Sequence, residues 1–357
     1  MTTATITRLN TPLARTRPDL IARWLRAVAL MVLVMVVVGG VTRLTKSGLS
    51  MTEWNPILGF IPPLNDAQWQ AELAKYQMSP QYRLTNRGMT LAAFKGIFFW
   101  EYLHRVVARV LVVVVYFLPL AWFALKRQIP KRLVGRLVII LGCFGLQGAI
   151  GWLMVASGLV AKMTSVDPVM LAAHFAAAMV LLSAVVWTAL DCQSLATKAT
   201  ARMARFTPVA GVVILLLGLQ LVYGALTAGL HAGYVANTWP LMNDHVFPLG
   251  VTWQGMRTLI ADPYLVHFIH RWWAFGVFVA VMVLARRVRK LERAASIAIH
   301  IAVGIQIVLG IATVMSGVWI YLAVAHQLTG ALLLVTTVWA AHVLGRPRVN
   351  PLPSFHA

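Results

Sequence analysis

The chain is short of charge, of acids and of cysteine, and each shortage excludes something. Charged residues make up 11% of its 357 positions, where a soluble domain carries roughly a quarter. With 60% apolar residues, and the charges gathered between long apolar runs, a water-soluble globular class is excluded. Only 10 acids oppose 31 Lys and Arg, for a formal charge of +21. The two cysteines, Cys143 and Cys192, lie in or beside apolar segments. They encode neither a disulfide framework nor a cysteine metal site, and two unpaired thiols are expected.

What is present is a series of apolar runs. A hydrocarbon core about 30 Å thick needs roughly 20 residues per helix. Eight segments qualify: 24–43, 97–125, 133–156, 168–190, 206–229, 264–285, 294–316 and 319–344. The first follows an Arg-bearing tail without a small-residue cleavage site, so it reads as a retained helix rather than a signal peptide or a transit sequence. Lys and Arg then set the orientation. The N-terminal tail (Arg8, Arg15, Arg17, Arg23, Arg26), the loops holding Lys126–Arg136, Lys198–Arg205 and Arg286–Arg293, and the tail with Arg346 and Arg348 place 20 of the 31 basic residues on one side. That side is expected to be cytoplasmic, with both termini inside a bacterial plasma (inner) membrane in preference to a mitochondrial one. The basic excess is thus a topology signal and not a nucleic-acid footprint.

The sequence also repeats itself. QGAIGWLMVASG at 147–158 matches QIVLGIATVMSG at 306–317, EYLHR at 101–105 matches HFIHR at 267–271, and His174 corresponds to His326. GGVTRLTKSGL at 39–49 loosely resembles YGALTAGLHAG at 223–233. The expected fold is all-α and integral to the membrane: two tandem, pseudo-symmetric four-helix bundles, 1–195 and 196–357, related by an axis along the membrane normal.

Ionisable groups inside spans are expensive and mark sites. His104, His174, His270 and His326 each fall near the outer end of an even-numbered span. Two imidazoles per bundle, at similar depth on different helices, suit axial ligation of a haem held between helices. A lone buried histidine is more often a hydrogen-bonded packing residue; four at matching positions of a repeat are not. Copper or zinc would need further ligands that do not recur. His231, His245, His300, His342 and His356 read as structural or interfacial. Arg105 and Arg271, next to the first histidine of each pair, could bind haem propionates or snorkel to the interface. Glu101 stands three residues before His104 and within i,i+4 reach of Arg105; its counterpart is His267. A carboxylate there suits a proton acceptor or electrostatic stabiliser, against the simpler reading of a salt bridge to Arg105 or Arg109. Chemistry is therefore assigned to the N-terminal half and a permanently bound haem to the other.

The stretch GGVTRLTKSGLSMTEWNPILGFIPP at 39–63, EYLHR at 101–105 and the HR…H arrangement of both halves resemble the haem A synthase family over nearly the whole chain. The resemblance implies a membrane oxidoreductase that oxidises the methyl group at carbon 8 of haem O to a formyl group, with oxygen from water, to supply haem A to haem–copper terminal oxidases. It implies haem b held by His270 and His326, and substrate haem O or product haem A at His104 and His174, with Glu101 important for activity. Some members carry a cysteine pair in the first outer loop; residues 44–96 contain none, which places this chain in the branch without it. Partners to consider are the farnesyl transferase that makes haem O, terminal oxidase assembly factors, membrane lipid and a second copy of the chain. The 44–96 loop, with Trp54 and Trp69, suits a lid over the substrate site, although tryptophans at this level are more commonly interfacial anchors. The competing readings are a diheme cytochrome b-type electron carrier, which would usually stack its haems across the membrane and leaves Glu101 unexplained, and a parallel-repeat transporter. The latter would show broken spans, for which Pro119 is the single candidate.

Overall fold

The computed structural model describes residues 16–53, 58–160 and 162–347. Arg8, Arg15, Trp54, Arg348 and His356, singled out above, lie outside them. The described residues form helices and connections, without a strand. Eight helices are long and apolar enough to cross a membrane: α1 (Pro18–Leu44), α2 (Leu91–Leu125), α3 (Lys131–Gly158), α4 (Pro168–Thr197), α5 (Pro208–Gly229), α6 (Pro263–Val288), α7 (Arg293–Met315) and α8 (Ile320–Leu344). The shortest has 22 residues, about 33 Å at 1.5 Å per residue, which covers the hydrocarbon core.

Their starts are written locally. Proline stands in the first turn of α1, α4, α5 and α6, where its missing N–H has no helical partner to lose. The side chains of Asp167, Asp262, Thr207 and Thr90 accept N–H groups of the first turns of α4, α6, α5 and α2, satisfying donors that a helix start leaves open. α1, α2 and α4 run beyond the expected 24–43, 97–125 and 168–190, because counting apolar residues discards the polar first and last turns.

Pro119 does perturb its span. Val110–Phe117 winds as a π-helix, since proline lacks an N–H and its ring clashes one turn back. The Val115 carbonyl near this site accepts the Trp24 indole N–H at 2.6 Å, which fastens α2 to α1.

α1 packs along α2 and α4, α3 on α4, α5 on α6, and α7 on both α6 and α8. Across the middle of the chain α4 meets α5 and α8, and α8 meets α1. Leu25, Val28, Leu137, Leu182, Val185, Val281 and Leu284 are fully or almost fully buried in the shared core. Val114, Val138, Ile139, Leu215, Val279 and Val308 face outward; such a surface is a liability in water and natural in lipid.

The two ends differ. One, here the loop face, carries the long connections 45–90 and 230–262. The described parts of the first, 45–53 and 58–90, are folded rather than slack. Helix Asp66–Gln77 is capped by Asn65, and helix Pro80–Leu84 by Ser79. Leu73 and Tyr76 bury against Phe94 and Phe98 of α2. The Tyr76 hydroxyl donates to Gln81 Oε1 at 2.9 Å, and the Gln81 amide donates to the carbonyls of Lys46 and Thr164 at 3.1 and 3.3 Å. Burial pushes the Tyr76 phenol above its ordinary pKa. Trp69 meets Phe98 edge-on at 5.1 Å, with the Lys95 ammonium over its ring.

At the opposite, basic face, the fully buried Asp191 carboxylate of α4 gathers three elements. His342 Nε2 of α8 lies 3.0 Å from it, the Ala204 N–H donates at 3.0 Å, and Arg136 of α3 completes an ion pair. Removing one member of a buried pair typically costs about 3–5 kcal/mol, because the other is left unpaired. Asp191→Ala is therefore expected to lower the thermal unfolding midpoint of the purified protein by several degrees. A midpoint within a degree of the parent would show that the cluster does not hold these helices together.

Candidate functional site

All four singled-out histidines lie toward the loop face. His174, His270 and His326 are six or seven residues into α4, α6 and α8, about 10 Å from the helix starts. His104 is 13 residues into the longer α2. Each imidazole rests on a glycine of another helix. A Cβ at Gly39 would stand 3.1 Å from His104 Cε1; at Gly151, 2.9 Å from His174; at Gly224, 3.0 Å from His270; at Gly310, 2.9 Å from His326. A Cβ at any of these positions would stand closer than ordinary van der Waals contact, so the ring would have to shift.

Three of these glycines follow a glutamine by four residues, which puts both on one helix face. Gln220 Nε2 lies 2.9 Å from the His270 carbonyl oxygen and 3.1 Å from its Nδ1. Gln147 Nε2 lies 3.1 Å from the His174 carbonyl oxygen and 3.2 Å from its Nε2, and Gln306 Nε2 lies 3.5 Å from His326 Nε2. The fourth position is Met35, and His104 Nδ1 is buried without a hydrogen-bond partner. These glutamines and glycines were missed from sequence, although QGAIG and QIVLG sit inside the quoted repeat. The pairing also corrects the register of the loosest match: Gly39 corresponds to Gly224, not to Tyr223. Thr42 then aligns with Thr227, and both hydroxyls donate to the carbonyl four residues back.

The ring centroids of His270 and His326 are 6.5 Å apart, with planes at 87°. Two imidazoles bound to one metal, with bonds of about 2.0 Å and a ring radius near 1.2 Å, leave roughly 6.4 Å. His104 and His174 are also within electrostatic reach of each other. Among the described residues no group of three or more His, Cys, Asp or Glu gathers to hold an ion, so the donors present are pairs, as an axially ligated haem requires. Cys143 and Cys192 are unpaired.

The loop-face ends of the two pairs differ. Glu101 is buried; it accepts from Ser50 Oγ at 2.8 Å, from the Met51 N–H at 2.9 Å and from Arg105 at 2.6 Å. Arg105 also donates to the Met51 and Glu53 carbonyls. Arg109 instead donates to Gly59 and lies over Phe60. In the second pair Arg271 donates to the carbonyls of Thr238, Pro240 and Leu241 and meets His267 Nε2 at 3.2 Å. Both arginines thus tie a loop-face connection to the helix that carries the histidine. Arg271 Nε stays buried without a hydrogen-bond partner.

Comparison with known proteins decides the family. The profile of the COX15-CtaA family, cytochrome oxidase assembly protein, matches residues 22–338. The chain belongs to this family. It is 50% identical over 333 residues to a protein named Heme A synthase from Sphingopyxis alaskensis, covering 92% of this chain and 93% of the relative. Heme A synthases from Erythrobacter litoralis and Novosphingobium aromaticivorans are each 48% identical, over 92% and 94% of the chain and 98% and 99% of their own lengths. The glycine contacts generate a direct test within this family member. Gly310→Ala is expected to lower bound haem per chain several-fold, whereas Gly304→Ala, whose Cβ would meet nothing within 4 Å, is expected to leave it unchanged. Equal haem content in both variants would remove the glycine from the site.

Proposed function

We propose that the chain is a haem A synthase, converting haem O to haem A by oxidising the carbon 8 methyl group to a formyl group. Whole-length identity to proteins of that name supports the activity. The observation that carries the division of labour is the unequal ends of two like histidine pairs: Glu101 in one, His267 in the other. Residues 1–195 would bind the substrate haem at His104 and His174, and 196–357 a haem b at His270 and His326, in two pseudo-symmetric bundles.

The half-reaction is methyl plus water to formyl with four protons and four electrons released; the electrons pass to an oxidant from outside the chain, so the enzyme acts as an oxidoreductase on a C–H group. When bound, haem b supplies the one-electron chemistry. The chain's own residues do the rest. The paired imidazoles orient each macrocycle between helices. Glu101, fixed by Ser50, Met51 and Arg105, takes up released protons or balances positive charge. The connection 45–90, held down by Arg105 and Arg109, acts as a lid. Arg105 and Arg271 form the rim, with Arg271 Nε free for a propionate. The loop face would be the outer side of a bacterial plasma membrane, with the basic face and both termini cytoplasmic. A diheme electron carrier has no evident use for a carboxylate in one half only.

Extraction and chromatography of haems from purified protein test the reading. The parent is expected to hold haem B with O or A. Glu101→Ala should hold B and O with little A, and Glu101→Gln should separate charge from loop anchoring. Haem B alone, at two per chain in every sample, would leave a diheme carrier instead.

A further inference from the structure

Arg43 is a cation without an anion. It lies four residues beyond Gly39, one helical turn or about 6 Å nearer the loop face and on the side of α1 that receives His104. Its guanidinium crosses the seam between the two halves and donates to the Ala228 carbonyl. Ala228 in turn lies four residues beyond Gly224, the glycine under His270. The cation therefore stands one turn above both histidine–glycine contacts, where the ends of α1 and α5 meet.

The group beside it is also basic. Lys46, in the left-handed region at φ 55°, and His231, at φ 54°, interact electrostatically with each other across the seam, and Arg43 with His231. Burial first, then Arg43 and Lys46, hold the His231 imidazole below its ordinary pKa. All 10 acids of the chain are among the described residues, and none forms an ion pair with Arg43 or Lys46 within 4.0 Å. A carbonyl at a helix end takes up one guanidinium donor and about half a charge. It leaves the planar fork that matches a carboxylate. An ionised side chain at membrane depth without a counter-charge marks a ligand position.

We propose that Arg43, with Lys46, binds a propionate carboxylate of a haem held by one of the two histidine pairs. The assignment rests on the haem reading above. Two haems could supply the carboxylate, the substrate haem at His104 or the resident haem at His270, and the shared chemistry is a porphyrin propionate. The C-terminal half has Ala228 where the N-terminal half has Arg43, so a single guanidinium serves the seam.

The test uses full-length purified protein and its variants Arg43→Gln, Arg43→Lys and Lys46→Gln. The last leaves the α5 carbonyl contact intact. Haem O and haem O dimethyl ester are titrated in by Soret absorbance, and haem B content and midpoint potential are measured on the same samples. A charged hydrogen bond supports an effect of about tenfold to a hundredfold. If the carboxylate belongs to the substrate haem, Arg43→Gln weakens haem O binding by that factor and leaves the ester unchanged. Lys46→Gln then shows a smaller loss of the same kind, and Arg43→Lys restores part. If it belongs to the resident haem, Arg43→Gln lowers haem B content or moves its potential downward, and haem O titrates as in the parent. Equal weakening of acid and ester, or no change in titration, content or potential, overturns the assignment. A parent that binds acid and ester equally, together with unchanged haem B content and potential in Arg43→Gln, sinks the carboxylate site alone, whereas a parent that binds neither sinks the functional reading with it.

Discussion

Everything at the loop face depends on burying an imidazole among apolar helices. The ring needs room, and its nitrogens and neighbouring carbonyls need partners, because an unpaired polar group in an apolar medium costs several kcal/mol. Gly39, Gly151, Gly224 and Gly310 supply the room, and Gln147, Gln220 and Gln306 supply amide contacts. The consequence is architectural. Each even helix is held at a fixed height against an odd one, and His270 and His326 end up separated by about the width of a ligated metal. The space between helices is thus set by four missing side chains rather than by large ones.

On that common frame the charges are distributed unequally. The first pair carries Glu101 and Arg105 above it, the second His267 and Arg271. In both, the arginine spends its donors on carbonyls of the nearest outer connection, so the loop is registered to the helix that bears the histidine. What differs is the group beside the arginine: a carboxylate in one half, an imidazole in the other.

Much of this was legible in the sequence because membrane spans, positive loops and out-of-place ionisable residues are chemical signals that need no tertiary context. The spans, the four histidines and the Glu101–Arg105 pair belong to this class. The glycines and glutamines do not. A glycine in an apolar helix carries meaning only once the helix opposite is known, and small apolar residues recur so often that α1 and α5 could be matched one residue out of step. Asp191 and His342 are 151 positions apart, beyond any spacing rule. The π-helical stretch of α2 was signalled by Pro119, but its partner, the Trp24 indole, was not. The folded 45–90 connection is built on Tyr76, Gln81 and their backbone acceptors, a pattern of side-chain–to–carbonyl bonds that composition does not reveal.

The halves are fastened to each other at several depths, and this constrains how a large amphipathic substrate reaches its place. Asp191 binds α3, α4 and α8 at the basic face. Nearer the loop face Gln327, the residue after His326, donates to the Val36 carbonyl at 2.7 Å and lies against Gly40, whose neighbour Gly39 carries His104. The two histidine frames thus share one stretch of α1 backbone, and opening the seam would dislodge ligands on both sides. Entry has to come elsewhere. α6 and α7 pack on each other directly, whereas α2 meets α3 chiefly along the π-helical stretch 110–117, well below His104. Above that stretch the N-terminal half is less closed laterally than its counterpart, so the two halves differ in how open they are at the level of their histidines.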